Sequence, residues 1–273
     1  MGFPGAPLLL VGGGKMGEAL LQGWLGQGLD AADAEVIETD AARREYMERT
    51  HGVRPVAAAS ALPEGFRPAT IVLAIKPQMM DEALPAYPAL ATEGTLVLSI
   101  AAGKPIALFE KVFGADRAVV RAMPNTPAAV GRGTTVLCAN RAAGPEARKV
   151  AETLMRAVGE VLWLEDEEAM HAVTALSGGG PAYVFFLIEA MAAAGERAGL
   201  PADIAMRLAR STVTGSGELA RLAPEPAEQL RRNVTSPRGT TEAALRVLMA
   251  EDGLVPLMTR AVAAAAARSR ELA

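Results

Sequence analysis

The chain has 273 residues, 51% of them hydrophobic and 4% aromatic, with a formal net charge of -4; this suits one large domain or two ordinary ones and excludes a disordered chain. Lys and Arg are scattered with no basic block, so nucleic acid and anionic membranes lack electrostatic support as partners and small-molecule chemistry is favoured. A single cysteine, Cys138, excludes an internal disulfide, and His51 and His171 stand far apart without CxxC or HExxH spacing, so no metal is expected.

The N-terminal MGFPGAPLLLVGGG lacks a basic n-region, and its short apolar run ends at once in glycines, as a buried first strand does and a signal peptide does not. No apolar run approaches the ~20 residues of a membrane span. A soluble, cytoplasmic protein is expected.

From Leu8 onward, LLLV, EVIE, TIVLAI, TLVLSI, AVVRA, TTVLCA and VLWL recur between helical stretches up to Leu164. Apolar runs bounded by turn signals fit strands buried on both faces, and helical crossovers imply a largely parallel sheet. Residues 1–164 are therefore expected to form a doubly wound α/β, Rossmann-like domain. Beyond them, helical spacing runs through 165–177, 181–198, 201–222, 240–250 and 254–272, so residues 165–273 are expected to be all-α. The alanine stretches EAMAAAGERAG and RAVAAAAARSR allow close helix approach, including between subunits, but alanine is also simply the best helix former.

The first strand opens into Gly12-Gly13-Gly14-Lys15-Met16-Gly17, a GxGxxG leading into a helix. In a dinucleotide fold the first glycine turns the chain, the second admits a pyrophosphate and the third lets helix and strand pack. The free N–H groups of the helix start then bind the anion, so Gly12, Gly14, Lys15, Met16 and Gly17 are candidate cofactor contacts. At the end of the second strand the signals conflict. Glu38 and Asp40 favour an unphosphorylated ribose, whereas Thr39 with Arg43 or Arg44 suits a 2′-phosphate. Two further loops lie at carboxyl ends of parallel strands, where ligands bind: LAIKP, with Ala74, Lys76 and Pro77, and SIAAG, with Ala101.

RAMPNTPAAVG (121–131), SGGGPAYVF (177–185) and NVTSPRGTTEAAL (233–245) follow in order behind that loop. Together with GGGKMGEALLQGWL, VLAIKPQ and SIAAGKP, the set resembles pyrroline-5-carboxylate reductase, the family that makes proline. The likeness covers nearly the whole chain, and the TSPxGTT run is its most specific part.

The resemblance implies a helical C-terminal dimerisation domain, a homodimer that in some members assembles into rings of dimers, and reduction of a cyclic imine by NADPH, with NADH accepted by some members. It implies that the hydroxyl-rich loop of one subunit faces the nicotinamide held by the other. Ser236, Gly239, Thr240 and Thr241 then bind the substrate, Thr241 is the catalytic contact to the ring nitrogen, and Asn233 reaches the cofactor. Gly239, Thr240 and Thr241 open a predicted helix whose stripe Ala244, Leu245, Leu248 and Met249 is expected to be buried. Asn125 is placed at the mouth of the cleft, and the lone helical His171 is left out of the catalytic set. The family usually has Gly where this chain has Arg238, so a conformation natural to glycine must here accept a Cβ.

Two other readings share the N-terminal half. A β-hydroxyacid-type dehydrogenase needs a base for alcohol chemistry, and enzymes of that type use a lysine on the interdomain helix; here no lysine lies beyond Lys149. A non-catalytic dinucleotide sensor would bind the cofactor without turnover.

Overall fold

The computed structural model describes residues 2–272. Seven strands, β1 (Leu8–Val11), β2 (Ala34–Ile37), β3 (Thr70–Leu73), β4 (Leu96–Ser99), β5 (Val119–Met123), β6 (Gly133–Ala139) and β7 (Gly159–Trp163), form one sheet in the order β2-β1-β3-β4-β5-β6-β7. Every neighbouring pair is parallel except β5 and β6, which run antiparallel with Arg121 opposite Cys138. All seven coincide with the apolar runs of the sequence, and the mostly parallel Rossmann-like sheet is as expected.

The runs are apolar because both faces of the sheet are covered. Leu8 and Leu10 of β1 face one core layer and Leu9 and Val11 the other, as the twofold alternation of a strand requires. Helices α1 (Lys15–Gly26), α2 (Ala41–His51), α3 (Met80–Ala83), α4 (Ile106–Phe113), α5 (Pro145–Arg156) and α6 (Met170–Val173) belong to this half. Leu20, Leu21 and Trp24 of α1 and Leu154 and Met155 of α5 fill the first layer. The buried Trp24 indole N–H donates to the Leu154 carbonyl at 2.8 Å, which locks these two helices together without an unmet polar group. Phe109 and Phe113 of α4 and Met80 of α3 fill the second layer.

The chain forms two compact units, one running to Gly178 and including the C-terminal end from Ala266, the other Gly179–Ala265. The first unit reaches beyond residue 164 because Met170 is fully buried in the second core layer and His171 Nδ1 lies 2.9 Å from Ser269 Oγ. A π-helical turn, Thr174–Gly178, ends it.

The second unit contains α7 (Gly180–Arg197), α8 (Ala202–Leu222), α9 (Ala227–Asn233), α10 (Thr240–Leu248) and most of α11 (Leu254–Glu271). The all-α character is as expected, with α9 the one addition. Small residues set the spacing of α7 and α8: a Cβ on Gly195 would stand 3.2 Å from the Ala205 Cβ. Within this unit only Ala192, Ala205 and Ala209 are buried. Large apolar side chains lie open instead, with Phe185 60% and Phe186 68% exposed.

Residues Glu167–Arg197 are apolar enough over an 18-residue window to cross a membrane by length and composition. Counting uninterrupted apolar runs missed this, because polar residues and glycines divide the stretch.

Candidate active site

The first unit builds a cleft at the carboxyl ends of β1, β2 and β3, on either side of the point where strand order reverses. Gly12 has φ +102°, and a Cβ there would stand 2.7 Å from the Ala74 carbonyl oxygen, so the loops after β1 and β3 meet backbone to backbone. Gly17 lies in the first turn of α1, where a Cβ would meet the Gly12 carbonyl oxygen at 2.1 Å. Gly14 differs: it has ordinary φ and nothing within 4 Å of a built Cβ. It is also the N-cap of α1, with no side-chain cap, so the first-turn N–H groups are left to an incoming anion. A cradle of open space against an uncapped helix start fits a pyrophosphate.

The cleft has a volume of about 210 Å³. Of the residues expected from sequence, Gly12, Gly14, Thr39, Ala74 and Lys76 line it, together with Ile37 and Glu38. Lys15, exposed, and Met16, half-buried, open α1, and Gly17 lies beneath the loop. Pro77 begins the short helical turn after β3, and Ala101 is buried behind the loop after β4; neither lines the cleft.

At the β2 end the four charged candidates separate by role. Glu38 Oε2 accepts the Gly13 N–H and Oε1 the Asp40 N–H, each at 2.9 Å. Asp40 caps α2, accepting the Arg43 N–H at 2.7 Å. Arg43 turns inward onto the Gly13 carbonyl oxygen, 2.6 Å away, and Glu18. Arg44 donates to the carbonyl oxygens of Glu38 and Thr39 at 2.8 and 2.7 Å. Thr39 and Arg44 are thus neighbours, while Asp40 and Arg43 are committed elsewhere. This bracing was not legible in the sequence, which offers all four residues as equals.

Part-burial opposes the charge on Glu18, but hydrogen bonds from Arg43, His51 and Tyr46 outweigh it and hold its carboxyl below the usual range.

Asn125 also braces. Its Nδ2 donates to the Ser177 carbonyl and hydroxyl oxygens at 3.3 and 3.2 Å, and its Oδ1 accepts the Thr134 N–H at 2.8 Å, which ties β6 to the π-helical turn. Arg121, 3% exposed, pairs with Glu167 at 2.8 Å, and the same carboxylate oxygen accepts the Ile106 N–H at 2.8 Å. His171 is buried on Ser269, a structural place. Among the described residues there is no cluster of metal-binding side chains.

The second unit presents the hydroxyl-rich loop between α9 and α10. Asn233 ends α9, its Oδ1 accepting from Gln229 Nε2 at 2.8 Å. Thr235 donates its hydroxyl to the Arg231 carbonyl at 2.6 Å. Ser236 turns the chain, its carbonyl accepting the Gly239 N–H at 3.0 Å. Gly239 is the N-cap of α10, with no side-chain cap, and the side chains of Ser236, Thr240 and Thr241 are exposed. Hydroxyls placed for helix capping would bond to the first-turn N–H groups; these do not.

Arg238 has φ +60°, the one described non-glycine residue with positive φ. The glycine-like conformation anticipated at this position is adopted, with the Arg238 N–H held by the Glu242 carboxylate. Hydrogen bonds from the Arg246 side chain and then from this N–H hold the Glu242 carboxyl below its ordinary range. A residue with a Cβ loses about 1–2 kcal/mol in the left-handed region, and glycine restores part of that, less about 0.4–1 kcal/mol for its looser unfolded chain. Arg238→Gly should therefore stabilise the fold by roughly 0.5–1 kcal/mol in calorimetric melting. A lower melting temperature would mean that the Arg238 side chain itself contributes to the loop.

The apolar stripe of α10 is not buried within the chain, contrary to expectation: Leu248 is 49% and Met249 58% exposed. One chain provides no surface to cover it.

Residues 167–272 match a family model described as pyrroline-5-carboxylate reductase dimerisation, and residues 8–103 one described as NADP oxidoreductase, coenzyme F420-dependent. A pyrroline-5-carboxylate reductase of Pseudomonas aeruginosa is 42% identical over 269 residues, 97% of this chain and 96% of that one. The solved structure of a pyrroline-5-carboxylate reductase from Coxiella burnetii superposes with TM-score 0.91 at 34% identity, covering 98% of this chain and 99% of that one. The Plasmodium falciparum pyrroline carboxylate reductase with NADP bound has TM-score 0.82 at 27% identity, each chain covered to 99%. A glycine-loop cleft in one half, a dimerisation model over the other and likeness along the full length together place this chain in the pyrroline-5-carboxylate reductase family.

Proposed function

We infer that the chain reduces 1-pyrroline-5-carboxylate to L-proline with NADPH, as the last step of proline biosynthesis, acting in the cytoplasm as a self-associated enzyme. The observation that carries the reading is the pairing of an open Gly14 cradle at an uncapped helix start with a second uncapped helix start, at Gly239, dressed with exposed hydroxyls. The first fits a pyrophosphate and the second a small carboxylate.

When bound, the reduced nicotinamide supplies a hydride to the C=N carbon of the ring. The N–H groups of Lys15, Met16 and Gly17 hold the pyrophosphate, with Gly12 and Ala74 forming the floor. Lys76 would flank the nicotinamide side, with Pro77 and Ala101 supporting the loops behind it, and Thr39 with Arg44 would receive the 2′-phosphate. Asn233 reaches the cofactor of the partner subunit.

The substrate carboxylate sits at the start of α10, on Gly239, Thr240 and Ser236. An anion there gains about 0.3–1 kcal/mol from the helix field, and up to ~2 when partly buried, besides charge-assisted hydrogen bonds. Thr241 directs its hydroxyl to the ring nitrogen and fixes the face offered to the hydride. A threonine hydroxyl is a poor acid near neutral pH, so the ring nitrogen either arrives protonated or takes its proton through water, and catalysis is mainly orientation. The absence of lysine beyond Lys149 favours imine reduction over alcohol oxidation.

Isotope transfer tests this directly. With NADPH deuterated at the transferred position, the label should appear in proline at the carbon that was doubly bonded to nitrogen. Label in solvent or at any other carbon would contradict the assignment.

A further inference from the structure

Gly13, the middle glycine of the run, is gripped from three directions. Its N–H is held by Glu38, its carbonyl oxygen by Arg43 Nε, and a Cβ on it would meet Met47 Sδ of α2 at 2.3 Å. Arg43 is itself fixed. Its terminal nitrogen pairs with Glu18 Oε2 at 2.5 Å, and its guanidinium lies 4.8 Å from the centroid of the Tyr46 ring. Glu18 Oε1 is engaged in turn by His51 Nε2 at 3.0 Å, a histidine side chain only 8% exposed.

A trans peptide is planar, with its C=O and N–H pointing in opposite directions within that plane. Anchoring the Gly13 carbonyl toward Arg43 therefore turns the Gly14 N–H away from α2, and Gly14 is the residue with open space around it. The direction in which this N–H points is set by a side chain that does not line the cleft.

We propose that Arg43, backed by Glu18, is a positioning residue that orients the Gly13–Gly14 peptide for the dinucleotide pyrophosphate, and that it takes no part in reading the 2′-phosphate. The proposal rests on the cofactor reading above. Its geometry separates two adjacent arginines: Arg43 is already matched to a carboxylate, and offering it to a phosphate would break a charge-assisted pair. Arg44 contacts only backbone carbonyl oxygens among the described residues, so its charge remains available beside Thr39.

Because the pyrophosphate is common to NADPH and NADH, a positioning role weakens both equally, whereas a phosphate role weakens NADPH alone. The test is the dissociation constant of each dinucleotide, read by cofactor fluorescence on the full-length protein. Arg43→Ala should weaken both by a similar factor, roughly tenfold, with kcat at saturating cofactor little changed. Arg44→Ala should weaken NADPH by roughly tenfold and leave NADH near normal. Arg43→Gln keeps a donor near the Nε position without the charge, so it should recover much of the affinity for both; Glu18→Gln, which removes the carboxylate that holds Arg43, should weaken both alike and carries the test if Arg43→Ala does not fold.

Selective loss of NADPH in Arg43→Ala or Glu18→Gln, or unchanged affinity for both dinucleotides in these two variants, would overturn the proposal. Failure of the unmodified protein to bind either dinucleotide would overturn the cofactor reading itself.

Discussion

Thr241→Ala should lower kcat for pyrroline-5-carboxylate by roughly ten- to a hundredfold while the dissociation constant of NADPH stays near that of the unmodified protein. Thr241 opens α10 with an exposed side chain, and neither it nor Thr240 caps the helix. Its loss should therefore remove the proposed contact to substrate without removing a support of the fold. On the proposed role, in which the hydroxyl fixes which face of the ring meets the hydride, the defect should fall on turnover, where misorientation is most costly. Thr241→Ser, which keeps the hydroxyl, should recover most of the rate. Stopped-flow single turnovers and cofactor titration separate the two effects, and an unchanged turnover rate would remove Thr241 from the site.

Phe186→Asp should dissociate the assembly and abolish activity. Val184, Phe185, Phe186 and Leu187 of α7 are consecutive and all at least 44% exposed. Successive helical residues are about 100° apart, so no single face of this chain's own fold hides all four. Covering a phenylalanine contributes about 1.5–3 kcal/mol, and a carboxylate in its place must be buried without a partner or kept in water. The second unit buries only three alanines within itself, so loss of the partner also removes most of its stabilising apolar contact. Light scattering should show monomer or aggregate in place of the oligomer, with a lower melting temperature. A variant that remains oligomeric and active would place the interface on another face.

The same surface explains the apolar stretch Glu167–Arg197. By composition it resembles a membrane span, yet a dimerisation model covers it in full. A face that is too apolar for water within one subunit is suited to burial against a second.

Much of the architecture could be read in advance because parallel strands leave a strong trace. Two covered faces make every position of β1, β3 and β4 buried, and such runs are hard to mistake. The antiparallel pairing of β5 with β6 left no trace, since strand direction depends on the connection and both strands are apolar either way. The seven residues of α9 were missed because AEQLRRN carries only one large apolar side chain, too few for a periodic signal. Leu248 and Met249 were read as buried from spacing alone, and spacing does not say whether the covering surface belongs to the same chain.

At the candidate site, glycines were the most legible residues. Gly12 and Gly17 are required by contacts of 2.7 and 2.1 Å to a built Cβ, and Arg238 was singled out because a glycine conformation was anticipated at its position. The division of labour among Glu38, Asp40, Arg43 and Arg44 could not be read. All four lie within seven residues of one another, and only the turn into α2 decides which side chain folds back on Gly13 and which stays beside Thr39. Asn125 likewise gained its contact to Ser177 from a fold that brings positions 52 residues apart into hydrogen-bond range.

The most direct measurement is the oxidation of NADPH and NADH by the folded, self-associated protein in the presence of pyrroline-5-carboxylate, with proline assayed as product. Consumption of reduced cofactor matched one for one by proline is the predicted result. Cofactor binding with no oxidation of either dinucleotide would contradict it and leave a dinucleotide-binding protein without reductase activity.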